Sequence, residues 1–536
     1  MTTTATPLLH PAPLPSVRTQ RVPPALAGLG LGVSALLLLP LAVLVWQVFT
    51  GGEWVGVLPA GRLAQLAAST FALTATVVAT SIAIGLVTAW LTSRTDLPGR
   101  RLWSTVSALP LVMPSYVGAL VLLGATGREG FISQLLASLG LGPLPIPRGL
   151  LGSWLVLSLV TFPYVHLLMV PAFRALDPAQ EEAARGLGAD RWKLFRTVTL
   201  PQLAPALRSG GLLVALYTMA DFGAVSLLQY DTFTRAIYLQ YAGRIDRRPA
   251  TALAVLLIGL ALVVVWGERR SRRRMAVLAG HPRRALPLSH LKLRSRILAT
   301  LSLSVLALVA LVVPVSVLVG WWVRGGGMDV VPGAIWGELA RSFSISTLAA
   351  ALVVTVAVPL AILTIRYRSA IGILVENVTW SVYGLPHLTV GLGILLTGVT
   401  LLLPLYQTLP LLLFSYLAMF LPQALGPARA ALREVPPSLE EASRSLGRSA
   451  LSTAFRVTIP LIGPGLAAGA GLVFLTTIKE LPATLLLRPT GFETLAVRIW
   501  SATSEGFYAR ASVSALVLLL VSALPLHLLI GRDLYE

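Results

Sequence analysis

Apolar stretches near or above the roughly 20 residues that cross a bilayer as a helix recur along this whole chain. That recurrence constrains the fold more than any other feature of the 536 residues. In hydrocarbon every backbone N–H and C=O must be satisfied within the protein, so a chain of this kind builds helices and packs them on one another. The predicted spans lie near 25–49, 65–92, 103–124, 150–173, 203–228 and 249–268, and again near 296–320, 343–365, 375–400, 406–428, 462–487 and 509–530. Charged residues make up only 12% of the chain, against about a quarter in soluble domains, which leaves no room for a large soluble domain between the spans. The expected fold is an all-α polytopic membrane protein of about twelve transmembrane helices.

The formal charge of +20 is informative through its placement. Arg94, Arg100 and Arg101 follow the second predicted span, and Arg174, Arg185, Arg191, Lys193 and Arg196 follow the fourth. The basic runs ERRSRRRM and HPRRALPLSHLKLRSR follow the sixth, and Arg366 and Arg368 the eighth. All are loops after even-numbered spans, the pattern of Lys and Arg retained on the cytoplasmic side, with contact to anionic lipids as a second role. Both termini are then expected in the cytoplasm. No recognisable nucleic-acid-binding fold accompanies the charge, so no nucleic-acid partner is expected. Residues 1–24, rich in Pro and Thr, read as a disordered cytoplasmic tail before a retained span, because the apolar segment after them is longer than a signal peptide's core. The chain has no cysteine, which excludes disulfides and thiolate metal sites.

Two charged segments interrupt the apolar pattern in related ways. EEAARGLGADRWKLFRTVTLP starts at Glu181 and EEASRSLGRSALSTAFRVTIP at Glu440, 259 residues later. Pro201 and Pro460 repeat at the same offset, as do Asp221 in YTMADFGAVSLL and Glu480 in LTTIKELPATLLL. FTRAIYLQ resembles FETLAVRIW with a one-residue slip, and SALPLVMPSYVGALVLLG resembles YGLPHLTVGLGILLTG. The chain therefore reads as two tandem six-helix halves in the same orientation, 25–268 and 296–536, joined by a basic cytoplasmic linker, 269–295. Such repeats are related by an axis along the membrane normal, with a pathway between them.

Each charged segment follows the fourth span of its half, within loops 174–201 and 429–460, on the side the arginines mark as cytoplasmic. In the first, Asp177 caps a helix that has Pro178 first and Gln180 third, Gly186 and Gly188 stop it, and Asp190 caps the next. In the second, Ser438 with Glu441 forms a capping box, Gly447 ends the turn and Ser449 caps the next helix. Two short helices joined at glycine make a rigid protrusion for a soluble partner.

The spacing Glu182-Ala183-Ala184, Gly188, Val198, Leu200 and Pro201, repeated as Glu441-Ala442-Ser443, Gly447, Val457, Ile459 and Pro460, is similar to the EAA motif of ABC importer permease subunits. The chain resembles two fused permease units of the type I importer class. That resemblance implies the type I permease fold, a multi-pass location in the bacterial plasma (inner) membrane, and loops that dock on ATPase subunits. Glu181, Glu182, Ala183 and Gly188, with Glu440, Glu441, Ala442 and Gly447, are the ATPase-coupling candidates. Ser443 and the valines depart mildly from the family pattern. The chain lacks a G-x-x-x-x-G-K-[ST] phosphate-binding loop, so ATP and Mg are expected on a pair of separate cytoplasmic ATPase subunits and no cofactor in this chain. A periplasmic or lipid-anchored solute-binding protein would meet the loops around 125–148, 229–248 and 488–508, where Tyr230, Phe233 and Tyr241 read as interfacial belt residues.

Charged residues within spans usually face a cavity or a partner. Asp221, Lys479 and Glu480 are the candidate pathway residues, with Lys479 alternatively neutralising Glu480. Glu376, His166 and His387 read as hydrogen-bonded to neighbouring helices, since isolated histidines do not make a metal site. The segments around Asp221 and Glu480 resemble fused permeases for ferric iron, which implies iron as substrate; permeases for thiamine, sulfate, phosphonate or polyamines share the architecture. A secondary transporter is the other reading, although it has no need of paired docking loops. No clustered catalytic constellation marks an enzyme.

Overall fold

The computed structural model describes residues 22–50, 59–127, 130–140, 146–243, 248–273, 288–325, 333–367 and 369–535. Most of the expected tail, and the centre of the basic linker, lie outside them. The described residues are helical apart from turns, with no strand and one isolated bridge between Thr95 and Ser289. Eight helices are long and apolar enough to cross a membrane, and eleven spans result if each sharply bent pair is one crossing. A shorter apolar helix, Tyr508–Ala523, lies near the C-terminal end.

Two of the three sharp bends fall at matching places in the two halves; the third, 74° between Ala450–Leu461 and Gly463–Thr477, belongs to the second half alone, since Trp192–Ala220 is a single span. The third and ninth predicted spans are each two half-helices, Arg100–Val112 with Ser115–Thr126 bent by 93°, and Ala370–Tyr383 with His387–Thr400 bent by 109°. The cause is local: Pro114 and Pro386 have extended backbone and sit immediately before the second half-helix, where a residue without an N–H is tolerated. The fifth and eleventh predicted spans, 203–228 and 462–487, also stop short. Their helices end at Ala220 and Thr477, and short helices Gly223–Leu227 and Pro482–Leu487 follow. Hydropathy ran straight through these breaks because the residues on both sides are apolar.

The halves are repeats in sequence and interlocked in space. The first long helix, Pro24–Thr50, packs mainly against Ala370–Tyr383 and His387–Thr400 of the second half. In return, Leu293–Ala307 and Val313–Arg324 pack against the first half's Arg100–Ala108 and Ser115–Thr126. The exchange needs close backbone approach: a Cβ on Gly393 would lie 2.8 Å from the Pro40 carbonyl oxygen. The largest apolar core therefore runs through both halves.

The linker's far end is stitched to the first half. Ser289 N–H donates to the Arg94 carbonyl at 2.8 Å, and Asp96 accepts from the Leu291 N–H at 2.9 Å and from Arg296 Nη2 at 2.7 Å. Asp96 lies outside the spans. The Leu291 N–H, with the His290 ring and the Arg296 guanidinium, holds its pKa down to about 2, below its ordinary value of 3.8. A depressed carboxylate stabilises the fold above its unfolded pKa and loses that contribution as pH falls toward the folded one. Hydrogen exchange at the Leu291 amide is therefore expected to stay slow to about pH 4, corrected for intrinsic rate, and to accelerate between there and about pH 2. Asp96→Asn should exchange alike at both ends of that range.

Candidate coupling loops and central cavity

The two charged segments fold as short helices, Pro178–Gly186 and Pro437–Ser445, each turning at a glycine with left-handed backbone, Gly188 at φ +79° and Gly447 at φ +82°. Asp177 caps the first through the Ala179 N–H, Asp190 accepts from the Lys193 N–H, and Ser449 accepts from the Ser452 N–H. The expected Ser438 capping box does not form. The consecutive Pro436 and Pro437 start that helix two residues earlier, with Pro436 as the N-cap, which leaves Ser438 inside the first turn. Beyond each glycine the chain makes one π-helical turn, Phe195–Thr199 and Ala454–Thr458, ending two residues before Pro201 and Pro460. A proline ring clashes with the carbonyl four residues back, and a widened turn relieves that clash.

The first glutamate of each pair points into the protein. Glu181 is 3% exposed, and its carboxylate meets Arg94 Nη2 at 3.2 Å and Arg185 Nη2 at 3.3 Å. Glu440 receives Arg366 Nη2 at 3.0 Å and Nε at 3.2 Å, and the same arginine donates to the Val435 carbonyl at 2.9 Å. Thr199 and Thr458, again 259 residues apart, donate to Glu181 and Glu440. Arg94 and Arg366 end the helices Ala60–Arg94 and Ala334–Arg366. Glu181 and Glu440 thus fix each loop to the bundle. Glu182, Ala183, Glu441 and Ala442 stay exposed, as do Gly188 and Gly447. The sequence reading passed over the large apolar residues beside them: Leu187 is 89% exposed, Leu446 82% and Leu451 72%, with Trp192 and Phe455 also well exposed. Their signal was present, since leucine between Gly186 and Gly188 has no core to fill.

At the level of the helix breaks a cavity of about 220 Å³ lies between the halves, and Asp221, Lys479 and Glu480 all line it. Asp221 accepts from the Ala224 and Val225 N–H groups at 3.0 and 3.2 Å, while Glu480 accepts from the Ala483 N–H at 3.1 Å. Each carboxylate thereby caps the short helix that comes after it. Thr234 donates to the Asp221 carbonyl, and Thr484 to that of Glu480. Lys479 turns away from its neighbour: Nζ donates to the Leu111 carbonyl at 3.0 Å, and its own carbonyl accepts from the Tyr116 hydroxyl at 3.3 Å. It bridges the halves and does not neutralise Glu480. Glu480 is met instead by His387, Nδ1 to Oε2 at 2.8 Å, and that imidazole also lines the cavity. His387 begins the second half-helix behind Pro386, as Ser115 does behind Pro114, so the two walls carry different side chains, an imidazole and a hydroxyl, at equivalent places.

Tyr116, Tyr164, Tyr217 and Tyr383 complete the lining, and none of them stood out in the sequence. His166 lies fully buried between Thr88 at 3.0 Å and Ser104 at 3.3 Å, as expected of a structural histidine. Glu376 pairs with Arg429 at 2.7 Å on the wall of a wider vestibule of about 590 Å³. That vestibule shares Leu213, Leu216, Tyr383 and Gly384 with the central cavity and includes Arg433, near the coupling-loop end of its helix. Phe233, 5% exposed, is packed inside rather than at a belt, and the half-buried Tyr230 donates its hydroxyl to the Ser69 carbonyl. Tyr241 is half-buried. No group of three or more His, Asp or Glu side chains poised for a metal ion occurs among the described residues.

Residues 81–277 and 299–531 each match the family described as binding-protein-dependent transport system inner membrane component. The Fe(3+)-transport system permease protein FbpB 2 of Haemophilus influenzae is 30% identical over 472 residues, which covers 87% of this chain and 90% of that protein. The sulfate transport system permease protein CysT of Escherichia coli is 29% identical over 47% of this chain and 94% of its own. The molybdenum transport system permease protein ModB of the same organism is 32% identical over 42% of this chain and 99% of its own.

Proposed function

We propose, for a chain that belongs to the binding-protein-dependent transport system inner membrane component family, that it moves ferric iron across the inner membrane as the permease of an ATP-driven importer. The coarser statement, an ABC importer permease subunit with two tandem units, follows from the family itself. Two ATPase subunits at the coupling loops and a solute-binding protein at the other end are the partners this reading requires. By the placement of the basic loops, the coupling-loop end and both termini are cytoplasmic.

One observation carries the mechanism: the two capping carboxylates, Asp221 and Glu480, face a single cavity at matching breaks of the two halves. Moving the loops together rotates the half-helices that Asp221 and Glu480 terminate, so the cavity opens alternately to either side. Irregular backbone at membrane depth occurs where it lines such a cavity. Iron is favoured over the other substrates on two grounds. The iron permease aligns across both halves, whereas the sulfate and molybdenum permeases each align with less than half of this chain. Two carboxylates against one tethered ammonium also suit a cation better than an oxyanion.

ATP-dependent uptake of radioactive iron into proteoliposomes holding this chain, an ATPase and a ferric-binding protein, with sulfate, molybdate and thiamine in parallel, tests the reading. Asp221→Asn with Glu480→Gln is expected to lower iron uptake at least tenfold while the ATPase still co-purifies. Uptake of an oxyanion alone would keep the importer and remove iron, and ATP-independent flux would restore a secondary transporter.

A further inference from the structure

The cavity continues toward the coupling-loop end. Toward the coupling loops it runs into the vestibule through the shared Leu213, Leu216, Tyr383 and Gly384. In the opposite direction stand three aromatic rings. Phe222, on the cavity wall, lies 4.8 Å from both the Tyr238 and the Trp500 ring, and Tyr238 meets Trp500 edge-on at 6.0 Å. Phe222 is 1% exposed and Trp500 8%, so no aqueous gap is left between them. The first half supplies Phe222 and Tyr238, and the second supplies Trp500 from helix Leu495–Ser504.

We infer that Phe222, Tyr238 and Trp500 form the gate that closes the pathway at the end opposite the coupling loops, and that Asp221 is mechanically tied to it. Phe222 follows Asp221 directly in the chain. Tyr238 lies one turn beyond Thr234 on helix Phe233–Gly243, and the Thr234 hydroxyl is bonded to the Asp221 carbonyl. A movement of the Asp221 backbone therefore carries two of the three rings. Among the described residues the corresponding bond in the second half ends elsewhere: Thr484, which holds the Glu480 carbonyl, is on the short helix Pro482–Leu487 and not on the helix of Trp500. The gate is thus driven from the first half and received by the second.

The inference rests on the permease reading for its meaning, but its first test needs neither substrate nor ATP. The chain has no native cysteine, so Leu216→Cys places a single thiol on the wall shared by cavity and vestibule. A membrane-impermeant cationic thiosulfonate is applied from either side of oriented proteoliposomes holding this chain alone. Labelling from the coupling-loop side is expected to be at least tenfold faster than from the other side. Adding Trp500→Ala with Tyr238→Ala should bring the slow side to within about threefold of the fast one. Equal rates from both sides in the parent, or an unchanged slow side in the triple variant with its fast side intact, would overturn the gate.

If the alanine variants lose fast-side labelling, and hence their fold, a lock decides instead. Tyr238→Cys with Trp500→Cys, bridged by a bis-thiosulfonate crosslinker of about the reach of the two rings, should arrest uptake by the full complex, and a reductant should restore it. Full uptake with the bridge in place would equally overturn the proposal.

Discussion

Replacing Arg94 with leucine is expected to detach the first coupling loop while the membrane bundle stays folded. Glu181 is 3% exposed and would be left with the long Thr199 contact at 3.5 Å and with Arg185, whose side chain is more than half exposed and contributes little. Removing one partner of a buried ion pair costs about 3–5 kcal/mol, because the remaining charge is stranded away from water. That is enough to free a short loop held by few other contacts. Backbone hydrogen exchange over 178–200 should rise by two orders of magnitude or more, with the helix Ala60–Arg94 little changed, and ATP-driven uptake should fall below a tenth. Arg94→Leu with Glu181→Leu should recover most of the protection, since two apolar groups of similar reach replace the pair. If the double variant exchanges as fast as the single one, stranded charge is not the cause. The equivalent Arg366→Leu should act more weakly, because Arg366 and Glu440 retain 14% and 17% side-chain exposure and water can solvate the remaining carboxylate.

These anchors show how much the sequence disclosed and where it stopped. The repeat, the glycine turns and the loop positions were legible, because caps and left-handed glycines are local chemistry that residue type and spacing reveal. Glu181 and Glu182 are adjacent and chemically alike, so only the packing of Arg94 behind the loop separates an anchor from a surface residue. The arginine itself was legible as a topology charge, which said nothing about its partner 87 residues away. The cavity was half legible. Asp221 and Glu480 announced themselves as charges in apolar surroundings, whereas the tyrosines and the gate rings resemble ordinary core residues until the half-helices are bent around them. The breaks at Pro114 and Pro386 were missed for a related reason: hydropathy averages over about 19 residues and does not register a bend.

The division of labour on the loop surface leads to the second large effect, on the proposed ATPase contact. Glu182 and Glu441 are exposed, and exposed charges act mainly on encounter rate and lose their influence in salt. Leu187 and Leu446 project from the turns at 89% and 82% exposure, at equivalent places beside the two left-handed glycines, where an apolar pocket on a partner would receive them together. Buried apolar anchors at an interface centre cost about 2 kcal/mol or more when removed, which is roughly 30-fold in Kd, and the two loops act together on one ATPase pair. Leu187→Asp with Leu446→Asp is therefore expected to abolish stable co-purification of the ATPase at all salt concentrations. Glu182→Arg with Glu441→Arg should weaken it by about tenfold at low salt and by much less at high salt. Measuring ATPase retention against ionic strength for both pairs separates the two contributions. Retention of the ATPase by the aspartate pair would show that the leucines are not seated in it, and an effect of the arginine pair that persists undiminished at high salt would mean that Glu182 and Glu441 are buried in the complex.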